Sequence, residues 1–244
     1  MLFRSIFGDS PVKMVNTIYW RNRTWNNRLL KLATTTNGRH DMAILQLDMT
    51  PMFTDTEVPM FRMPCWVGGV KNLHAAAEIT RRSAQIKSDI RRIRKNRLKY
   101  RVTSKPDDFD QFYHSMYLPH IQRVFNDHAY IMPYKEMQEA IPHCELFLIT
   151  QDGEDIAGQI LVYNESELVR AWSLGVKDGD DQWVRKGALT ALENLQTDYL
   201  LEKDYSKLHQ GASRPFLKDG VLCFKKNVEW KSLIKPTRVF SHYQ

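Results

Sequence analysis

Residues 211–230, GASRPFLKDGVLCFKKNVEW, bring together a small-residue turn, the cation Arg214, an Asp-Gly helix opener and a Phe-Lys-Lys segment. The stretch holds no nucleophile paired with a base, no metal-ligand spacing and no glycine-rich phosphate cradle. Its chemistry therefore rests on fixed charge and turn geometry. Arg214 closes a strand-like run, where a guanidinium grips a carboxylate in bidentate fashion or serves only as a surface-turn residue. His209, on the run YSKLHQGAS, titrates in the range of a general base, with a packed structural histidine as the alternative. Ser213 reads as a turn residue on the substrate side and not as a nucleophile, because no base has a predictable place beside it. Lys225, next to Phe224, is either a solvated helix lysine or a fixed cation. On LVRAWSLGV, Arg170 and Trp172 are further substrate-side candidates, although Trp172 and Trp183 also suit a core or its rim.

The elements that must position these groups are legible from periodicity. CELFLITQ, a turn at Asp152-Gly153 and DIAGQILVYNE predict a hairpin, and LVRAWSLGV predicts a third adjacent strand. QWVRKGALTALENLQTDYL predicts one helix with a stripe through Val184, Ala188, Leu195 and Tyr199. YSKLHQGAS predicts a strand, DGVLCFKKNV a short helix, and WKSLIK and RVFSHYQ terminal strands. Upstream, Ala76, Ile79, Ser83, Ile86, Ile90 and Ile93 share one face of an amphipathic helix over 74–97. It leads into a strand at KYRVTS. A second helix, DDFDQFYHSMYLPHIQR, opens with Asp107 or Asp108 as its cap. The first seventy residues mix strand-like runs with turns.

The charge is concentrated. Residues 71–105 hold 12 Lys and Arg against 2 acids, a local +10, and the rest of the chain has 23 basic against 26 acidic residues. One element with a polyanionic partner fits this better than a uniformly basic surface. Arg91, Arg92 and Arg94 are its candidate phosphate-binding residues. Three cysteines, Cys65, Cys144 and Cys223, are far apart, as suits reduced thiols in a cytoplasmic protein. Eight histidines form no helical i,i+4 pair, which argues against a metal site. No apolar h-region of a signal peptide opens the chain, and no window reaches the roughly 18 apolar residues of a membrane span.

From about residue 107 this element order resembles the GNAT acyltransferase fold. Within it the likeness is to the Fem-type aminoacyltransferases of peptidoglycan bridges and the FemAB-like acetyltransferase group. Three stretches carry it: SDIRRIRKNRLKYRV with DDFDQFYHSMYLP, then LFLITQDGEDIAGQILVYNESELVRAWSLGV, then residues 211–230. The resemblance implies an α/β (α+β) fold, a twisted mixed sheet with helices on both faces. Residues 106–244 would be the catalytic domain, preceded by a reduced N-terminal α/β portion, residues 1–105.

It also implies an N-acyltransferase with no permanently bound cofactor. The donor is acyl-CoA or an aminoacyl-tRNA, and the acceptor a small-molecule or peptide amine. Ser173, Leu174 and Gly175 would offer backbone N–H groups to the donor. Arg185, Lys186 and Gly187 at the next helix N-terminus would take its phosphates. Lys225 would stabilise the oxyanion. The competing class is a non-catalytic RNA-binding or scaffold protein that keeps the fold.

Overall fold

The computed structural model describes residues 67–82, 84–126, 131–163, 168–213 and 230–233. All belong to one compact unit, Trp66–Thr237. In chain order the elements begin with β1 Val67–Asn72, α1 Leu73–Arg82, α2 Ala84–Lys95, β2 Lys99–Thr103 and α3 Pro106–Phe112. A π-helix, Tyr113–Tyr117, and α4 Leu118–Phe125 continue directly from α3, and α5 spans Tyr134–Ala140. The second half contains β3 Cys144–Gln151, β4 Glu154–Val162, β5 Leu168–Val176, α6 Asp181–Lys186, α7 Ala188–Glu202, β6 Lys207–Ser213 and β7 Trp230–Leu233.

Among the described residues the strands form one seven-stranded sheet in the order β2-β3-β4-β5-β6-β1-β7. Every pairing is antiparallel except β5 with β6. The expected meander is β3 to β5, and β1 and β2, which precede residue 106, are strands of the same sheet. β3 shows why its sequence is almost uninterruptedly apolar: both of its faces are covered. Phe147 and Ile149 join a core with Leu73, Ile93, Ala191, Leu192 and Leu200 of α1, α2 and α7. Leu146 and Leu148 join a second core with Phe109, Phe112, Tyr113, Met116 and Met137 of α3, the π-helix and α5. Helices on both faces of a mixed sheet are what the sequence led us to expect.

Three local details differ from the sequence reading. The basic segment forms two helices, and the second ends at Lys95; Ala76 and Ile93 of its apolar stripe are buried. The cap of α3 is Lys105, with Pro106 in the first turn, where its missing N–H costs nothing. Asp108 instead accepts hydrogen bonds from Arg101 and from Thr103 Oγ1, the latter at 2.7 Å. The helix expected over 182–200 is broken at Gly187, which adopts φ 96°. That left-handed conformation suits glycine and ends α6 before α7 begins.

Candidate functional site

The parallel strands β5 and β6 pair at only three positions, Leu168↔Lys207, Val169↔Leu208 and Arg170↔His209. Beyond Arg170 they part. At that point β5 carries an extra residue: its partnership with β4 runs from Leu161↔Ala171 to Gln159↔Leu174. Such a bulge re-aims side chains and interrupts pairing. Its effect is visible in Trp172 and Ser173, which both face the core of the π-helix. Trp172 packs against that core, and Ser173 Oγ lies 3.8 Å from Met132 Sδ. Met132 is held in turn, since Tyr113 donates to its carbonyl at 2.7 Å and its N–H donates to Tyr117 Oη at 2.9 Å.

Gly175 closes the other end of the bulged segment. A Cβ there would stand 2.5 Å from the Met116 carbonyl carbon, so strand and π-helix touch backbone to backbone. Leu174 lies between Ser173 and Gly175 on β5, half-buried. Ser173, Leu174 and Gly175 therefore lie on the stretch of β5 beyond its last pairing with β6.

The two sets of candidate phosphate ligands meet at the junction of α6 and α7. Arg92 of α2 lies over Gly187, and a Cβ on that glycine would be 3.0 Å from the arginine Cδ. Asn96 Nδ2 donates to the Lys186 carbonyl at 2.7 Å, and Gln151 Nε2 donates to the Asn96 carbonyl at 2.9 Å. Lys186 Nζ sits 4.3 Å from the centre of the Trp183 ring. The first N–H to bond within α7 is that of Ala191, which donates to the Gly187 carbonyl at 2.8 Å. The preceding N–H groups of the helix thus point out of its N-terminus, beside Arg92. Gly187 itself is not among them, because its N–H donates to the Val184 carbonyl. Arg91, Arg92, Arg94 and Arg185 are exposed, and among the described residues they form no ion pair.

The remaining candidates are spread around the parting. His209 is half-buried on β6, and its Nδ1 accepts the Gly211 N–H at 3.2 Å. The Arg170 guanidinium lies 5.7 Å from the Trp172 ring centre. Burial pushes the neighbouring Cys144 thiol up to about 11, while Arg170 works weakly in the opposite direction. Ser213 is 2% exposed. Arg214, Phe224 and Lys225 lie outside the described residues.

Sequence reasoning missed a buried polar network here. Lys71, 3% exposed, donates to Glu193 Oε1 at 2.5 Å and to Thr197 Oγ1 at 2.7 Å. Gln210 Nε2 donates to the same Glu193 oxygen at 2.9 Å. The signal was a lysine inside the strand VGGVKN and a Glu-Thr i,i+4 pair interrupting an apolar helix. His120, on α4, is also buried; burial lowers its pKa, and Asp181 pulls the other way. Among the described residues no group of His, Cys, Asp and Glu is arranged to hold a metal, and no helix is long and apolar enough to cross a membrane.

A parallel pair that opens after three paired positions, a bulged strand at the mouth and a helix N-terminus beside it together define the architecture. This is a GNAT fold. No protein-family model and no curated protein matches the chain. Solved structures do. L-PGS from Bacillus licheniformis aligns with TM-score 0.50 at 10% identity, over 68% of this chain and 57% of that one. The C-terminal domain of a putative lysylphosphatidylglycerol synthetase from Agrobacterium fabrum aligns with TM-score 0.48 at 13% identity, over 68% and 58%. A GCN5-related glucosamine N-acetyltransferase region of a fungal multi-domain β-N-acetylglucosaminidase aligns with TM-score 0.45 at 14% identity, over 68% and 20%. The chain spans less than two thirds of each, and at these identities the likeness is one of fold.

Proposed function

We propose that this GNAT-fold chain is an N-acyltransferase that moves an acyl or aminoacyl group from a phosphate-bearing donor to an amine. The observation that carries the reading is the opening of β5 from β6 after Arg170↔His209, next to a helix N-terminus flanked by unpaired arginines. The donor arm enters the opening and its phosphates rest at the α6–α7 junction, near Arg92, Arg185 and Lys186. The acceptor amine attacks the carbonyl carbon and the C=O electrons move to oxygen. The oxyanion then collapses with loss of the thiol or alcohol, and the amine gives up a proton.

Backbone N–H groups of Ser173 to Gly175 and the Lys225 ammonium are the oxyanion's partners in this reading. His209 takes the amine proton. Arg170, Trp172, Ser213, Arg214 and Phe224 border the acceptor. The donor is acyl-CoA or an aminoacyl-tRNA, and the FemAB-like likeness of residues 80–230 favours the second as much as the first. The row of unpaired cations along α2 supports one competing reading, a non-catalytic RNA-binding protein on the same fold.

Calorimetric titration with CoA, acetyl-CoA and total tRNA, followed by turnover with an amine panel, separates these. Saturable donor binding with amide product supports the transferase. Binding of tRNA with a steep salt dependence and no turnover with acyl-CoA or aminoacyl-tRNA overturns it.

A further inference from the structure

The parting of β5 and β6 is built from two irregularities at the same level of the sheet. The ladder between the strands ends at Arg170↔His209. Directly beyond it, β5 sets Trp172 and Ser173 against the single residue Ile160 of β4. β6 does the same on its other side. Its pairing with β1 runs from Val70↔His209 to Gly68↔Ala212, so Gln210 and Gly211 stand against Gly69 alone. Gly211 takes up the extra residue with φ 71°, a left-handed conformation that glycine adopts without steric penalty.

The bulge of β6 is tied to α7. Gln210 Nε2 donates to Glu193 Oε1 at 2.9 Å, and Lys71 Nζ, from β1, donates to the same oxygen at 2.5 Å and to Thr197 Oγ1 at 2.7 Å. Lys71 is 3% exposed. A buried ion pair is a poor way to gain stability, because the desolvation of two charges offsets most of their attraction, and an apolar pair of similar volume commonly serves as well. What an apolar pair cannot do is hold a carboxylate oxygen at a set position. Lys71 fixes Glu193, and Glu193 fixes the first residue of the bulge. Leu208, opposite Lys71 and two residues before Gln210, is buried in the core with α7. One face of β6 is thus anchored twice to α7, by packing at Leu208 and by the hydrogen bond at Gln210, at the level where the ladder with β5 stops.

We propose that Lys71 and Glu193 are positioning residues for the opening: acting through Gln210, they pin the bulge of β6 to α7 and hold the strand on its course away from β5. The proposal concerns the shape of the opening, whatever ligand enters it, and so stands apart from the N-acyltransferase reading.

Hydrogen–deuterium exchange of the full-length protein, read by peptide alongside the melting temperature, tests it on Lys71→Met/Glu193→Leu and on Gln210→Leu. The double variant removes both charges and leaves neither buried alone, so it should melt no more than about 4 °C below the wild type. Its peptides over 208–213 should exchange about tenfold faster, while those over β3 and β4 keep the wild-type rate. Gln210→Leu leaves the ion pair intact and should give the same local acceleration. Adding it to the double variant should change nothing further, because all three residues act through one contact. Unaltered exchange over 208–213 in either variant overturns the proposal. So does acceleration spread over the whole sheet with a matching fall in melting temperature, which is what an ion pair that only stabilises would give. Should the double variant fail to fold, Gln210→Leu alone decides on the same two readings.

Discussion

At the scale of single residues, the folded state leans on a few polar and steric contacts outside the cleft. Glu145 accepts hydrogen bonds from Tyr163 and Tyr199, each at 2.6 Å, and from Lys203 at 2.7 Å. Burial opposes its ionisation, but the Lys203, Tyr163 and Tyr199 bonds outweigh that and hold its pKa below the usual carboxylate range. A depressed carboxylate stabilises the fold above its unfolded pKa, and the contribution disappears as pH falls through the folded value. Glu145→Gln should cost about 2 kcal/mol at pH 7. Urea melts should show the gap to wild type shrinking below about pH 4. Gly175→Ala forces a methyl against the Met116 backbone. It should cost about 3 kcal/mol, the upper range for overpacking, and lower the melting temperature by roughly 10 °C. Lys225→Met tests the oxyanion role: turnover should fall by a factor of about ten to a thousand with donor affinity nearly unchanged. Lys226→Met, about 100° around the expected helix, is its control. Equal effects of the two substitutions would remove Lys225 from the mechanism.

At the scale of elements, α2 does two jobs on two faces. Ile93 and Leu98 enter the core with α7, and Arg91, Arg92 and Arg94 remain on the outside. Exposed, unpaired charges contribute little to stability. Replacing the three arginines with Glu should therefore move the melting temperature by no more than about 2 °C while weakening donor binding at least tenfold at low salt. Unchanged affinity would leave these arginines as a solvated face. The π-helix is the second element with a double role, because its widened turn presents backbone to Gly175 and tyrosines to Met132. Its five residues were read from sequence as ordinary helix. Nothing in YHSMY announces a π turn; the close approach of β5 at Gly175 is a tertiary contact.

At the scale of the whole molecule, charge is organised against the fold. The chain carries a net +7, and its positive excess resides in residues 71–105, which run from the end of β1 through α1 and the ridge of α2 to β2. The field is therefore focused near the α6–α7 junction and is not spread over the surface. Binding of a polyanion there should release counterions. A plot of log affinity for tRNA against log salt should have a clearly negative slope, and the Arg91, Arg92, Arg94 reversal should reduce its magnitude by about 2 to 3. An unaltered slope would place the polyanion elsewhere on the chain.

Sequence alone determined the elements whose signal is local. The Asp152-Gly153 hairpin, the strand β5 and the basic amphipathic segment follow from period and turn chemistry, and the expectation of helices on both faces followed from the element order and the resemblance it carries. It also pointed separately to Arg91, Arg92 and Arg94 and to Arg185, Lys186 and Gly187. Only the tertiary structure decided that the two sets adjoin, because Arg92 reaches Gly187 across ninety-five positions of chain. The break of the helix at Gly187 was equally hidden, since a single glycine in a helical pattern is tolerated until neighbours select its left-handed state. The Lys71–Glu193–Gln210 network was the least legible feature. Each residue reads as an ordinary surface polar group, and only the packing of α7 across β1 and β6 buries Lys71 and brings it against the half-buried Glu193, which Gln210 also reaches.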